Sequence, residues 1–211
     1  MSSEGGTAAG HEEWSLDAAP TGRKLKASGT RAGDEAVAWS LEARFSPGGA
    51  LDSMELQARP EKRPQEVTTV AVRCYGGRAF GTAIPPGGVP DKFETRFEVG
   101  SAIRAFSTAL DGLFAVGAPL KVGHARRLLV VALDGASLVP RIGEGMLLAR
   151  GKERAQTPGG EEWCLSYEFR WADAPGRAET TWLVTRAGVV LRSQRDAARG
   201  PCSTKLTALE A

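Results

Sequence analysis

The basic residues of this chain are its best candidates for binding chemistry. They gather in two segments and comprise Lys121, His124, Arg126, Arg127, Arg150, Lys152 and Arg154. If the two segments lie on neighbouring strands, the cations meet at one end of a sheet. There Arg126 and Arg127 would hold a phosphate, sulfate or carboxylate group through bidentate contacts. A solvated charged rim is the alternative, because charged side chains ordinarily cover protein surfaces.

Catalytic motifs are scarce in this sequence. Only His11 and His124 are present, so a histidine-dependent triad or metal site would rest on His124, with Arg126 beside it. The chain contains no G-x-S-x-G, H-E-x-x-H or phosphate-binding loop, and no C-x-x-C pair. An enzyme is therefore the least favoured class, and neither a metal nor a cofactor is predicted.

The stretch W-C-L-S-Y-E-F-R-W, at residues 163–171, alternates large apolar residues with small or charged ones. This period of two predicts a β-strand with one buried face. Two interpretations of that face remain open: a filled core, since aromatic side chains dominate cores, or an apolar cavity that admits a lipid tail. The candidate ligand-binding aromatics are Trp163, Tyr167, Phe169 and Trp171, with Phe97 from an earlier strand.

Bulk composition narrows the class of protein and its partners. The 211 residues are 42% hydrophobic and 25% charged, which is typical of a globular protein. The formal charge of +2 gives no support to nucleic-acid binding. No window is apolar enough for a transmembrane helix, and the N-terminus lacks the features of a signal peptide. We therefore expect a cytoplasmic protein.

Alternating segments separated by Gly and Pro turns predict a mainly β fold. We expect a curved antiparallel sheet or open half-barrel of about eleven strands, in a single domain at residues 21–211. The pair Gly76-Gly77 predicts a two-residue hairpin. Residues 1–20 predict a flexible tail, and whether Trp14 docks on the sheet is left open. A two-sheet sandwich is the alternative architecture, distinguished by whether the ladder is continuous.

One segment has helical rather than strand periodicity. Ile103, Phe106 and Leu110 recur at helical spacing between a suitable cap, Ser101, and a suitable stop, Gly112. The spacing predicts one helix at 102–111, packed on the concave side of the sheet.

The order of elements, many antiparallel strands around one central helix, ends in the hairpin T-W-L-V-T-R-A-G-V-V-L-R-S at residues 181–193. In this layout the chain resembles the bacterial half-barrel lipid carriers, that is, the lipoprotein-carrier proteins and the glycolipid-binding family. The resemblance implies a half-barrel that holds a lipid. The glycolipid-binding members have no leader, like this N-terminus. No site residue is carried over from these families.

Two functional hypotheses follow. The first is non-enzymatic binding of a hydrophobic or lipid-like molecule between the aromatic strand and the helix. Trp163, Tyr167 and Trp171 would contact the tail, and Arg126 and Arg127 would bind an anionic headgroup. The alternative is a protein-protein interaction or assembly protein, which engages its partner by strand addition through exposed sheet edges or the Trp14 tail. Such a protein should have a filled core and a contiguous exposed apolar patch.

Overall fold

The computed structural model contains fourteen β-strands and one α-helix in the residues that it describes. It describes residues 10–31, 36–96, 102–104, 107–117, 120–134, 138–157, 160–171, 180–184, 190–195 and 202–205. The strands form two seven-stranded sheets, in which each described ladder joins strands that follow one another along the chain. The predicted mainly β, antiparallel architecture with one packed helix is confirmed.

The first sheet is a meander of antiparallel hairpins. Buried and less buried residues alternate along its third strand, so one face of that strand packs on the core. Gly76 and Gly77 have φ values of 59° and 74° and form the predicted two-residue hairpin. The strands of this sheet are β1 (Gly10–Ala19), β2 (Gly22–Arg31), β3 (Val37–Phe45), β4 (Leu51–Pro60), β5 (Thr68–Tyr75), β6 (Arg78–Ile84) and β7 (Asp91–Arg96).

The second sheet contains the remaining strands. All its described pairs are antiparallel except the first, in which β8 runs parallel to β9. No ladder within the described ranges joins β7 to β8, so the described strands fall into two sheets. The strands are β8 (Ala102–Arg104), β9 (Ala125–Asp134), β10 (Val139–Thr157), β11 (Gly160–Trp171), β12 (Thr180–Val184), β13 (Val190–Arg195) and β14 (Cys202–Lys205).

Both sheets and the helix contribute to one hydrophobic core. The Thr68 hydroxyl donates a buried hydrogen bond of 2.9 Å to the Leu138 carbonyl, which links β5 to the residue preceding β10. The two sheets therefore pack against each other. The largest fully buried side chains are Tyr167, Phe169, Leu25, Met54, Leu56, Leu110, Leu128, Leu138, Leu147 and Val70.

The predicted tail at residues 1–20 is wrong for residues 10–19, which form β1. This strand pairs with β2 along its whole length, and Trp14 and Leu16 pack against the core. Only these two large apolar residues mark the strand, and the Gly- and Glu-rich sequence around them obscured it. Pairing with β2 satisfies the backbone of this strand whatever its side chains are. Residues 1–9 lie outside the described part of the chain.

The helix occupies a later position than predicted. Helix α1 (Thr108–Gly117) is preceded by β8, which takes up residues 102–104 of the predicted helix. An extended segment at this position satisfies its backbone by pairing with β9, and that tertiary contact overrides the helical spacing. Gly112 is buried inside α1 instead of ending it.

The N-terminus of α1 is capped by Ser107. Its Oγ accepts a hydrogen bond from the Leu110 amide at 3.1 Å and donates one to Glu12 Oε1 at 2.6 Å. The same Glu12 oxygen accepts a hydrogen bond from the Ala109 amide at 3.3 Å. A carboxylate from β1 thus stabilises the positive end of the helix dipole. Ser101, the predicted cap, lies outside the described residues.

Candidate functional site

The hairpin of β10 and β11 carries most of the predicted ligand-binding residues. Ala149 pairs with Tyr167 and Gly151 with Ser166, so Arg150 is the extra residue of a β-bulge. Before the bulge the hairpin lies between β9 and β12, whereas residues 153–157 and 160–164 pair only with one another in the described ladders. The bulge therefore separates a packed segment from a two-stranded ribbon.

The predicted aromatic face of β11 is divided between the core and the surface. Tyr167 and Phe169 have no exposed surface and belong to the hydrophobic core. Trp163 is 49% exposed on the ribbon, where the guanidinium of Arg154 lies 5.2 Å from its ring centroid. These aromatics do not line one common cavity. The side chain of Trp171 and the whole of Phe97 lie outside the described residues.

The other face of the ribbon packs against side chains of β13 and β1. Cys164 is buried in a small cluster with Leu191, and Trp14 and Ala155 cover it. Burial raises the pKa of the Cys164 thiol, and the neighbouring glutamates raise it further. A thiol of this kind is a poor nucleophile, so Cys164 acts as an apolar packing residue.

Arg126 is the predicted ligand-binding cation that the structure places on the core-facing side of the second sheet. It pairs across the strands with Leu147, which in turn pairs with Phe169, and both of those partners are buried. Arg126 itself is half-buried. Burial lowers its pKa and the nearby Tyr167 partly offsets that effect, but a guanidinium stays protonated at neutral pH.

Tyr167 interacts with the charge of Arg126 and with the backbone of Leu120, in the segment that follows helix α1. Burial raises the pKa of Tyr167, while the charge of Arg126 and a hydrogen bond from the Leu120 backbone lower it. Among the described residues, no carboxylate lies within salt-bridge distance of Arg126. This half-buried cation beside a phenol is suited to an anionic group from outside the chain. The Arg126-Tyr167 pair is the candidate site.

The other predicted cations do not join this site. Arg127 lies on the opposite face of β9, is exposed, and approaches Glu144 at 3.6 Å. It was predicted to share the headgroup with Arg126, but successive residues of a strand point to opposite faces. Arg154 forms an ion pair of 2.9 Å with Glu161, and Arg150 pairs with Glu168. The predicted cation cluster is therefore divided among several partners.

Glu168 lies on the face of β11 opposite to Tyr167 and Phe169. It is the buried member of an ion-pair cluster on that face. Its side chain is 8% exposed and accepts hydrogen bonds from both Arg150 and Arg170. Burial alone would raise the pKa of Glu168, but the hydrogen bonds and charges of the two arginines hold it below the ordinary value of 4.5. The cluster is a structural feature of the sheet, since both arginines are occupied by the carboxylate.

Acid is expected to destabilise the protein through Glu168. A carboxyl whose pKa is lower in the folded state contributes stability above its unfolded-state pKa, and loses that contribution as the pH falls through the folded-state value. The free energy of unfolding, from urea denaturation at several pH values, should fall more steeply below about pH 4.5 in the wild type than in Glu168→Gln. Equal acid slopes would contradict this assignment.

His124 was the residue considered for catalysis. His124 is exposed, and its described hydrogen bonds are made by its backbone, to Lys121 and Ala149. In the described ranges, no group of three or more His, Cys, Asp and Glu residues is arranged to hold a metal ion. Nor does any helix there combine the length and apolar character needed to cross a bilayer.

Comparison with known proteins supports the fold. No family model and no curated protein match the sequence. A DUF1089 family protein from Pseudomonas aeruginosa aligns with a TM-score of 0.52 and 12% identity, over 90% of this chain and 94% of that chain. A beta-barrel-like protein of the domain of unknown function DUF1849 from Brucella abortus aligns with a TM-score of 0.55 and 10% identity, over 91% and 83%.

At this level of identity the likeness concerns the fold alone. It confirms the barrel-like part of the architecture expected from the half-barrel resemblance. It does not extend to a lipid-carrier identity, and both neighbours are described only as domains of unknown function.

Sequence reasoning missed part of the surroundings of Tyr167 and of the margin of the core. Leu120 was not part of any predicted element, yet its backbone bonds to Tyr167. Leu113, Leu120 and Leu165 are partly buried against the core. Leu165 lay on the predicted aromatic face of β11, so its period-two position was the available signal. Nothing in the sequence around Leu120 points to the site.

Proposed function

We propose that this protein is a non-catalytic binding protein for an amphipathic small molecule with an anionic group. Arg126 holds the anionic group, and Tyr167 packs beside it as part of the core. The apolar part of the ligand lies along leucines at the margin of the core. This proposal keeps the lipid-like ligand suggested by the half-barrel resemblance but assigns it to fewer residues.

The observation that carries the proposal is the environment of Arg126. A cation removed from water loses solvation energy unless an anion or several hydrogen bonds replace the water. Arg126 is half-buried on the core-facing side, and within the described chain no carboxylate compensates its charge. Its sequence neighbour Arg127, on the other face, has Glu144 beside it. A carboxylate, sulfate or phosphate of a ligand would supply the missing anion.

The apolar part of the ligand has a defined place in this proposal. Tyr167 and Phe169 are packed into the core, so a tail does not lie among them. Leu113, Leu120 and Leu165 are only partly buried and keep surface for a contact. A tail that covers such partly buried leucines gains roughly 25 cal/mol for each square ångström of apolar surface removed from water.

Two neighbouring arginines provide the test and its matched control. We expect Arg126→Gln to weaken oleate binding roughly 10- to 100-fold, because one charged hydrogen-bonded contact is lost. Arg127→Gln removes the same charge from the outer face and should leave the affinity unchanged. Isothermal titration calorimetry with oleate, and with the cationic oleylamine as a headgroup control, measures both effects.

The proposal fails if oleate does not bind, if both variants bind equally well, or if oleylamine binds as tightly as oleate. In each case the Arg126 guanidinium does not select an anionic ligand. Circular dichroism of both variants ensures that a loss of binding is not a loss of fold.

A protein-protein interaction is the second candidate, and a stripe on the first sheet favours it. Tyr75 is 84% exposed and Phe80 is 42% exposed, and they lie on the same outer face of the β5–β6 hairpin. Ile84, on that face of β6, is 37% exposed. Neighbouring exposed apolar residues are typical of contact surfaces. Concentration-dependent light scattering of the preparations used for calorimetry, together with no oleate binding, would favour this candidate.

A further inference from the structure

The first sheet carries a depression on the face turned away from the core. It has a volume of about 640 Å³ and spans β1 to β4. Pockets of roughly 300 to 1,000 Å³ are the size that holds small-molecule ligands. This one lies on a different sheet from Arg126, and its residues took no part in the site described above.

The floor of the depression consists of short side chains. Ser28 and Ser40 are directly paired across β2 and β3, and they are flanked in the same row by Glu13 on β1 and Gln57 on β4. Both serines are exposed, and no described side chain forms a hydrogen bond with either hydroxyl. Short residues between longer ones leave a trough that runs across the strands, with free hydroxyl groups along its floor.

The adjoining row supplies charged groups of both signs. Lys26, Glu42 and Glu55 are paired across β2, β3 and β4 and line the same depression. Lys24 forms an ion pair with Glu42 at 2.8 Å, and Arg44 approaches the same carboxylate at 3.3 Å. The hydrogen bond from Lys24 is the main cause of the lowered pKa of Glu42.

The charges around the depression are therefore balanced. The three lining carboxylates, Glu13, Glu42 and Glu55, are matched by Lys26 in the lining and by the two cations that contact Glu42. A balanced site has no net attraction for an anion or for a cation. Its serine hydroxyl groups and its carboxylates offer both donors and acceptors to a neutral ligand.

We infer that this depression is a second binding site, and that its ligand is an uncharged polyhydroxylated molecule, a carbohydrate of about one or two rings. The ligand hydroxyls donate to the carboxylates of Glu13 and Glu55 and exchange hydrogen bonds with the serine hydroxyls on the floor. The Gln57 amide, which donates to Glu55 Oε1 at 3.0 Å, orients that carboxylate. The inference is independent of the function proposed for Arg126.

The test combines nuclear magnetic resonance titration with variants that fill the floor. Maltose, lactose, cellobiose and N,N′-diacetylchitobiose are added to the ¹⁵N-labelled full chain. We expect saturable shifts of the backbone amides of β1 to β4 with at least one sugar. Ser28→Leu and Ser40→Leu should each raise the dissociation constant at least roughly tenfold, because they fill the trough and remove a hydroxyl partner. Ala71→Leu is the control, since Ala71 is exposed on the same face one strand beyond Glu55.

A matched set of monosaccharides tests the charge argument. Glucose, the cationic glucosamine and the anionic glucuronate differ mainly in charge. The inference is overturned if no sugar gives saturable shifts, if the shifts lie outside β1 to β4, or if only glucosamine or only glucuronate binds. Because shift mapping uses the wild-type protein, the result does not depend on the folding of a variant. Oleate affinity measured on the same Ser variants should remain unchanged.

Discussion

Replacing Phe169 by alanine is expected to lower the free energy of unfolding by about 3–5 kcal/mol. Phe169 has no exposed surface and packs in the core that both sheets share. Its removal loses the burial of a large ring and leaves a cavity that the surrounding strands cannot close completely. Because globular domains are stable by only about 5–15 kcal/mol, this variant should approach the limit of folding. Urea denaturation followed by circular dichroism measures the loss.

Trp163→Ala, on the same strand, is the control for this prediction. Trp163 is half-exposed and its described ring contact is with Arg154, so its removal should cost only about 0.5–1 kcal/mol. Similar losses for the two variants would show that β11 does not pass from core to surface as the structure indicates.

Gly145→Ala is expected to cost about 1–3 kcal/mol, although it adds only one methyl group. A Cβ atom at Gly145 would lie 2.3 Å from Cε2 and 2.6 Å from Cζ of Phe169. The ring is fully buried and has no solvent into which it can move, so the strands must separate. Gly151→Ala is the matched control on the same strand, because no atom lies within 4 Å of its added Cβ. That change should alter stability by less than about 1 kcal/mol.

The cause of the Gly145 effect can be isolated with a double variant. If the Phe169 ring produces the clash, Gly145→Ala should cost almost nothing in a Phe169→Ala background. Additive losses would instead place the origin of the effect in the backbone of Gly145.

The strands were predictable where one face is buried and the other exposed. β3 and the Gly76-Gly77 hairpin agree with the prediction because period-two burial and glycine turns are local properties. β1 and β8 were missed because their stability comes from pairing with β2 and β9, which lie elsewhere in the sequence. Helical spacing at Ile103 and Phe106 misplaced the helix for the same reason: tertiary pairing outweighed local preference.

The candidate site was predictable only in part. Arg126 was chosen for its type and its place in a cationic segment, and the structure gives it the core-facing environment that the proposed role requires. Arg127 was chosen with it, although alternation along a strand separates two successive residues. The bulge at Arg150 of β10 has no clear sequence signal. On one side of it Tyr167 and Phe169 of β11 are buried, and on the other side Trp163 is exposed. The trough of Ser28 and Ser40 depends on cross-strand register, which one strand alone does not reveal.

The order of strands within each sheet also bears on how the chain assembles. Every described pairing joins consecutive strands, so most ladders close short loops and lose little chain entropy. The first sheet can therefore pair while the second is still being synthesised. The contacts that unite them are distant in sequence: Ser107 and Glu12 are 95 residues apart, and Thr68 and Leu138 are 70 apart. Contacts between the two halves of the chain therefore cost more chain entropy than the pairing of neighbouring strands, and Glu12 is among the residues that make them.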